Sequence, residues 1–197
     1  MKTVTELVRK PSYREIRYAG QCMYSQADSI NYQDRKLMKD ASFVSSCSVC
    51  KVNSGDVVST GGVIWENDLW LVRHIPAPYP IAGWTMFNTQ RHVQGPAHFN
   101  EEEAKAYGPV LKHVTRALEI VTGAPRIYIV AFGESTPHMH SHLVPRYQEM
   151  SSDFAAFGIS DLYRQVASGS RPGVDEDDAL SIAKKLREQL KACPPPA

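Results

Sequence analysis

Three histidines, His138, His140 and His142, alternate with Met139 and Ser141 and run directly into Leu143-Val144-Pro145-Arg146. In an extended strand successive side chains point to opposite faces, so the three imidazoles share one face, each roughly 7 Å from the next. A helix would splay positions i and i+2 apart. Near neutral pH an imidazole can attack, relay a proton or bind a metal. Three readings follow. The row is a surface strand that happens to carry histidines, or a three-imidazole metal site that activates water. In the third, the labour is divided: one histidine binds metal or builds structure, one attacks, and one supports a substrate. The outer pair, roughly 13 Å apart on a strand, cannot reach one ion unless the strand distorts.

A second chemical signal is Cys47-Ser48-Val49-Cys50. In a reducing compartment a Cys-x-x-Cys pair reads as metal-binding or redox before it reads as a disulfide. A tetrahedral site needs two further ligands. Cys22 and Cys193 lie in the terminal extensions, so His92 and His138 are the natural candidates.

The elements that must position these groups follow from pattern. Val57 to Glu66 reads as a strand with a turn or bulge at Gly61-Gly62. Leu69 to Ile75 and Trp84 to Thr89 read as further strands, joined by the proline-rich connection Pro76 to Pro80. Asn100 to Thr122 is a helix with one apolar stripe, Asn100 as N-cap, Glu103 completing a capping box, and Gly123 beyond its end. Pro109 inside it should bend it. Arg126 to Phe132 is an apolar strand. Gly133 to Pro137 turns the chain into the histidine strand. A short helix near Asp161 to Val166 and a longer one over Asp175 to Lys191 complete the chain. A helix over about Ser25 to Lys39 is weakly periodic.

The chain has 197 residues and a formal net charge of +1, enough for one domain with extensions and too balanced for a surface made to hold long nucleic acid. No apolar run reaches the length of a signal-peptide core or a membrane span, so the expected location is the cytoplasm.

Gly133-Glu134-Ser135-Thr136-Pro137-His138-Met139-His140-Ser141-His142-Leu143-Val144 resembles the His-x-His-x-His motif of the histidine triad (HIT) superfamily. Cys47-x-x-Cys50, Gly83-Trp84, Arg91-His92 and the glutamate-rich helix stand in the matching order. The resemblance covers about half the chain. It implies an α+β fold with an antiparallel sheet of about five strands and one main helix, a homodimer, and nucleotidyl chemistry on a small nucleotide conjugate. The expected organisation is an N-terminal extension (1–46), a HIT domain (47–147) and a C-terminal loop and helix (148–197).

The resemblance also implies roles. His140 is the nucleophile on the α-phosphorus, through a covalent nucleotidyl-histidine. His142 contacts phosphate oxygens, and Ser135 touches phosphate or leaving group. Cys47, Cys50, His92 and His138 hold a structural zinc ion, as in the zinc-containing branch. The expected substrates are dinucleoside polyphosphates, nucleoside phosphoramidates or nucleotide sugars. The alternative is a non-catalytic nucleotide sensor or interaction module of the same fold. Three departures stand out. Glu134 replaces a common glutamine beside the phosphate and is carried as substrate-binding. Ser141 stands where an apolar residue is usual. Arg73-His74-Ile75-Pro76 offers no carboxylate to a ribose.

Overall fold

A computed structural model describes residues 42–196. Five strands form one sheet in the order β1-β2-β3-β5-β4. They are β1 (Val63–Glu66), β2 (Trp70–His74), β3 (Thr85–Thr89), β4 (Ile127–Val130) and β5 (His140–Pro145). Every neighbouring pair is antiparallel. The helices are α1 (Ser48–Asn53), α2 (Glu101–Thr122), α3 (Ile159–Ala167) and α4 (Glu176–Ala192). The layout is α+β, with the histidine strand inside the sheet. The weak helix expected over Ser25 to Lys39 lies outside the described residues.

Alternation along the strands sorts the two faces. Val72, Phe87 and Leu143 face the main core, where Val110, Val114 and Leu118 of α2 meet Ala183, Leu186 and Leu190 of α4. Met86, Val144 and Trp84 face the other way, against Ile159, Leu162 and Val166 of α3. His140 and His142 project to this second side. Ser141 projects to the first; it is fully buried opposite Phe87. It therefore belongs to the packing, and its Oγ has no hydrogen-bond partner.

The strand expected over Val57 to Glu66 is shorter than its sequence suggests. Gly61 and Gly62 adopt φ of +69° and +74°, a left-handed conformation that breaks the run and delays pairing until Val63. The expected bulge falls between Val63 and Trp65. The helix from Glu101 passes through Pro109 without interruption. At its start, Glu103 N–H donates to Asn100 Oδ1 at 2.8 Å and Asn100 N–H to Glu103 Oε2 at 2.9 Å, a complete capping box. Glu103 is 1% exposed and also accepts from Arg91 Nε and Nη2, at 3.1 and 2.6 Å. The helix start is thereby fastened to the loop that carries His92.

Candidate active site and metal centre

The histidine row is shared between two neighbouring places. The β5 ladder begins at His140; His138 lies just before it, in a turn where its N–H donates to Thr136 O at 2.8 Å. Its ring is fully buried.

There it meets the two cysteines. His138 Nδ1 lies 3.6 Å from Cys47 Sγ and 3.5 Å from Cys50 Sγ, and His92 Nδ1 lies 3.3 Å from Cys50 Sγ. All four ligand atoms fall within 4.8 Å of one another. A tetrahedral zinc ion with its usual Zn–S and Zn–N bonds holds neighbouring ligands about 3.5 Å apart, so this donor set fits the ion in chemistry and in spacing. The second nitrogen supports the same assignment. His138 Nε2–H donates to Thr89 O at 2.9 Å, which leaves the Nδ1 lone pair aimed at the thiols. Burial, with smaller contributions from His92, His140 and Arg73, lowers the His138 pKa to about 4, so its ring is neutral as a ligand must be. Burial also pushes the Cys50 thiol up, a bias that a bound cation reverses. Both cysteines are free.

Helix α1 makes the cluster possible. It begins directly after Cys47 and carries Cys50 on its first turn. At its end Asn53 Nδ2–H donates to Thr89 O and Gln90 O, at 2.9 and 3.1 Å. Thr89 O thus receives both the helix and the histidine at the end of β3.

His140 is partly exposed. Its Nδ1–H donates to His138 O at 2.7 Å, which fixes the neutral tautomer and leaves the Nε2 lone pair free. His142 has the opposite polarity. Trp84 Nε1–H donates to His142 Nδ1 at 3.0 Å, so the proton of the neutral ring sits on Nε2. Burial, then His140 and Arg73, lowers its pKa to about 4. The two rings stand edge to face, with centroids 5.4 Å apart. One histidine therefore presents a lone pair and its neighbour an N–H donor, in the same place.

Both rings line a cavity of about 890 Å³. Arg73, Trp84 and Met86 contribute to its floor, Val49 and Val52 of α1 to one wall, and Ile159 and Tyr163 of α3 to another. Glu134 and Ser135 lie exposed on the loop at its edge. All the residues expected at the site are thus brought to two adjacent places, the metal cluster and the cavity. Trp84 and the α3 wall were missed. Only the Gly83-Trp84 pair was a signal in the sequence; nothing in a short amphipathic segment reveals which cavity it closes. Next to Arg73, His74 is structural. Its Nδ1–H donates to Ile75 O at 3.0 Å and its Nε2 accepts from Gly83 N–H at 3.1 Å.

Five antiparallel strands, a long helix behind them and a His-x-His-x-His segment whose second and third members face one cavity define a protein of histidine triad fold. Similar structures include a zinc-bound histidine triad family protein from Mycobacterium smegmatis (TM-score 0.54, 21% identity, 75% of this chain and 94% of that one). Another is a Hit-like protein involved in cell-cycle regulation from Bartonella henselae (TM-score 0.55, 15% identity, 75% and 99%). A third is a hypothetical histidine triad nucleotide-binding protein from Sulfolobus tokodaii (TM-score 0.54, 16% identity, 74% and 93%). In sequence, the chain is 25% identical over 150 residues to the protein hit of Bacillus subtilis, covering 72% of this chain and 94% of that protein. The chain matches no protein-family model. Among the described residues no helix is long and apolar enough to cross a membrane.

Proposed function

We propose that this chain is a nucleotidyl hydrolase or transferase that works through a covalent intermediate on His140. The observation that carries the reading is the 2.7 Å hydrogen bond from His140 Nδ1–H to His138 O, which turns Nε2 toward the cavity. Nε2 attacks the α-phosphorus of a nucleotide conjugate, and the P–O or P–N bond opposite breaks. The leaving group departs with its electron pair and takes a proton from water or from a neighbouring donor. Water or another acceptor then attacks the same phosphorus, breaks the P–Nε2 bond and returns the ring to its starting state.

His142 Nε2–H donates to a non-bridging oxygen and stabilises the charge that gathers there. Ser135 and Glu134 stand at the cavity edge, where the leaving group exits; Ser135 donates to it or to the phosphate. Zinc held by Cys47, Cys50, His92 and His138 supplies structure, since all four positions are protein ligands and none is left open for water. The likeness to a zinc-bound structure supports the metal, and the likeness to a nucleotide-binding one supports the substrate class.

The test is chemical trapping. Brief incubation with an adenylyl phosphoramidate followed by acid-free mass spectrometry should show one added nucleotidyl group, on His140. The His140→Ala protein should remain folded, show no adduct and lose at least about a thousandfold in kcat. Full activity in that variant would sink the mechanism; binding without any turnover in the unmodified chain would leave a nucleotide sensor.

A further inference from the structure

Among the described residues, Arg73 is a buried cation without a partner. It lies in β2 opposite Met86, which lies opposite His142, so the three form one row across the sheet on the cavity side. Only 5% of the residue is exposed. Its Nε is buried without a hydrogen-bond partner, and the side chain forms no ion pair with a described residue. Burial pulls the guanidinium from 12.5 to about 10, so it remains charged at neutral pH. An unpaired buried charge is expensive, and proteins ordinarily supply a counter-ion. Here the one carboxylate among the described residues lining the cavity is Glu134, exposed on the loop at the cavity edge.

No described residue supplies that partner, and a ligand in the cavity can. Arg73 stands beside Met86 on the sheet face that carries Ile75 and Trp84, where the cavity lining is apolar. That end suits the nucleoside portion, while the exposed loop of Glu134 and Ser135 suits the departing group. A guanidinium offers paired donors that match phosphate or carboxylate. We propose that Arg73 forms a second anion subsite: besides the phosphate attacked by His140, the substrate carries another phosphate or carboxylate on its nucleoside portion. The inference rests on the nucleotidyl reading for the direction in which the ligand lies. Two strand spacings and a two-residue offset separate the backbones of Arg73 and His140, roughly 12 Å, and the arginine side chain closes part of that span. The second anion therefore sits roughly 6–8 Å from the attacked phosphorus. A ribose bearing phosphates on both its 5′ and its 3′ or 2′ oxygens has that order of separation. It also places charge where a ribose carboxylate from the protein would have been repulsive.

Calorimetric titration of the full chain with adenosine and uridine 5′-monophosphates, 5′-diphosphates and 3′,5′-bisphosphates tests the subsite. The bisphosphate of at least one base should bind roughly ten- to hundredfold tighter than its monophosphate, the gain expected of charge-assisted hydrogen bonds. The diphosphate, whose extra charge extends toward the leaving group, should gain less than about threefold. Arg73→Met should abolish the bisphosphate advantage without lowering the melting temperature, because an apolar side chain replaces an unpaired buried charge. Arg73→Lys should restore part of it. Absence of a bisphosphate preference, its survival in Arg73→Met, or an equal gain for the diphosphate would overturn the subsite. The His140→Ala protein separates this result from the mechanism. A preference that persists there supports the subsite even if the unmodified chain turns nothing over, whereas turnover without a preference overturns the subsite alone.

Discussion

Replacing Trp84 by phenylalanine isolates the hydrogen bond that sets the polarity of His142. The indole N–H donates to His142 Nδ1 at 3.0 Å and the ring packs edge to face on the imidazole, with centroids 5.8 Å apart. Phenylalanine keeps an aromatic ring but removes the donor. A buried neutral hydrogen bond is worth about 1–1.5 kcal/mol, and that bias now favours the Nε2–H tautomer. Its loss shifts the tautomer ratio by roughly five- to tenfold toward Nδ1–H, which points a lone pair instead of a donor at the phosphate. The same donor stabilises the neutral ring against protonation, so its removal should raise the His142 pKa from about 4 to roughly 5. Expected outcomes are a three- to tenfold fall in kcat at pH 7 with little change in KM, and an acid limb of the rate profile displaced upward by about one pH unit. Nitrogen-15 NMR of the His142 ring reads the tautomer directly, and a thermal melt checks that the fold persists. If the variant keeps the Nε2–H tautomer and the same titration midpoint, the assignment of Trp84 as the residue that sets His142 is wrong.

Three further expectations can be checked on the same protein. Cys50→Ser should abolish stoichiometric zinc, measured by elemental analysis, and cost more than about 4 kcal/mol in chemical denaturation, since a cage of buried donors is left without its ion. Arg91→Ala should strand the buried carboxylate of Glu103; with the Arg91 side chain 40% exposed, the loss in denaturant should be about 2–3 kcal/mol, and Glu103→Gln in the same background should recover part of it. Because His142 stays neutral in the native state down to about pH 4, whereas an unfolded imidazole protonates near 6.5, its contribution is fully present above pH 6.5. It declines as pH falls toward 4, by at most about 3 kcal/mol. His142→Ala should flatten that part of the stability curve, and an unchanged curve would contradict the burial of the ring.

Much of this architecture was legible because it depends on local rules. The capping box at Asn100 and Glu103, the apolar stripe of α2 and the punctuation at Gly123 are short-range chemistry, and the structure contains each of them. The four candidate metal ligands converge as donor chemistry suggests, although His92 and His138 are 46 positions apart in the chain. What period-two spacing could not show is that the ladder begins only at the second member. His138 is set apart by its full burial and by the hydrogen bond to Thr89 O, and both depend on how distant backbone positions pack. The tautomers of His140 and His142 were equally hidden. One is set by a carbonyl and the other by an indole 58 positions away in the chain. The role of Arg73 was invisible for the opposite reason: an arginine inside an apolar strand announces nothing until the absence of a partner around it is known.

His138 holds two offices at once. Its ring belongs to the candidate metal cluster, and its carbonyl oxygen accepts the hydrogen bond that orients His140. Mechanically the residue is a rigid coupling between a cage and a tool. On the proposed mechanism, loosening the cage with a chelator, an oxidant acting on the two thiols or a poorly fitting ion should shift that carbonyl and misaim His140 without anything entering the cavity. A variant without the cluster of Cys47, Cys50 and His92 would need another way to hold that one carbonyl still.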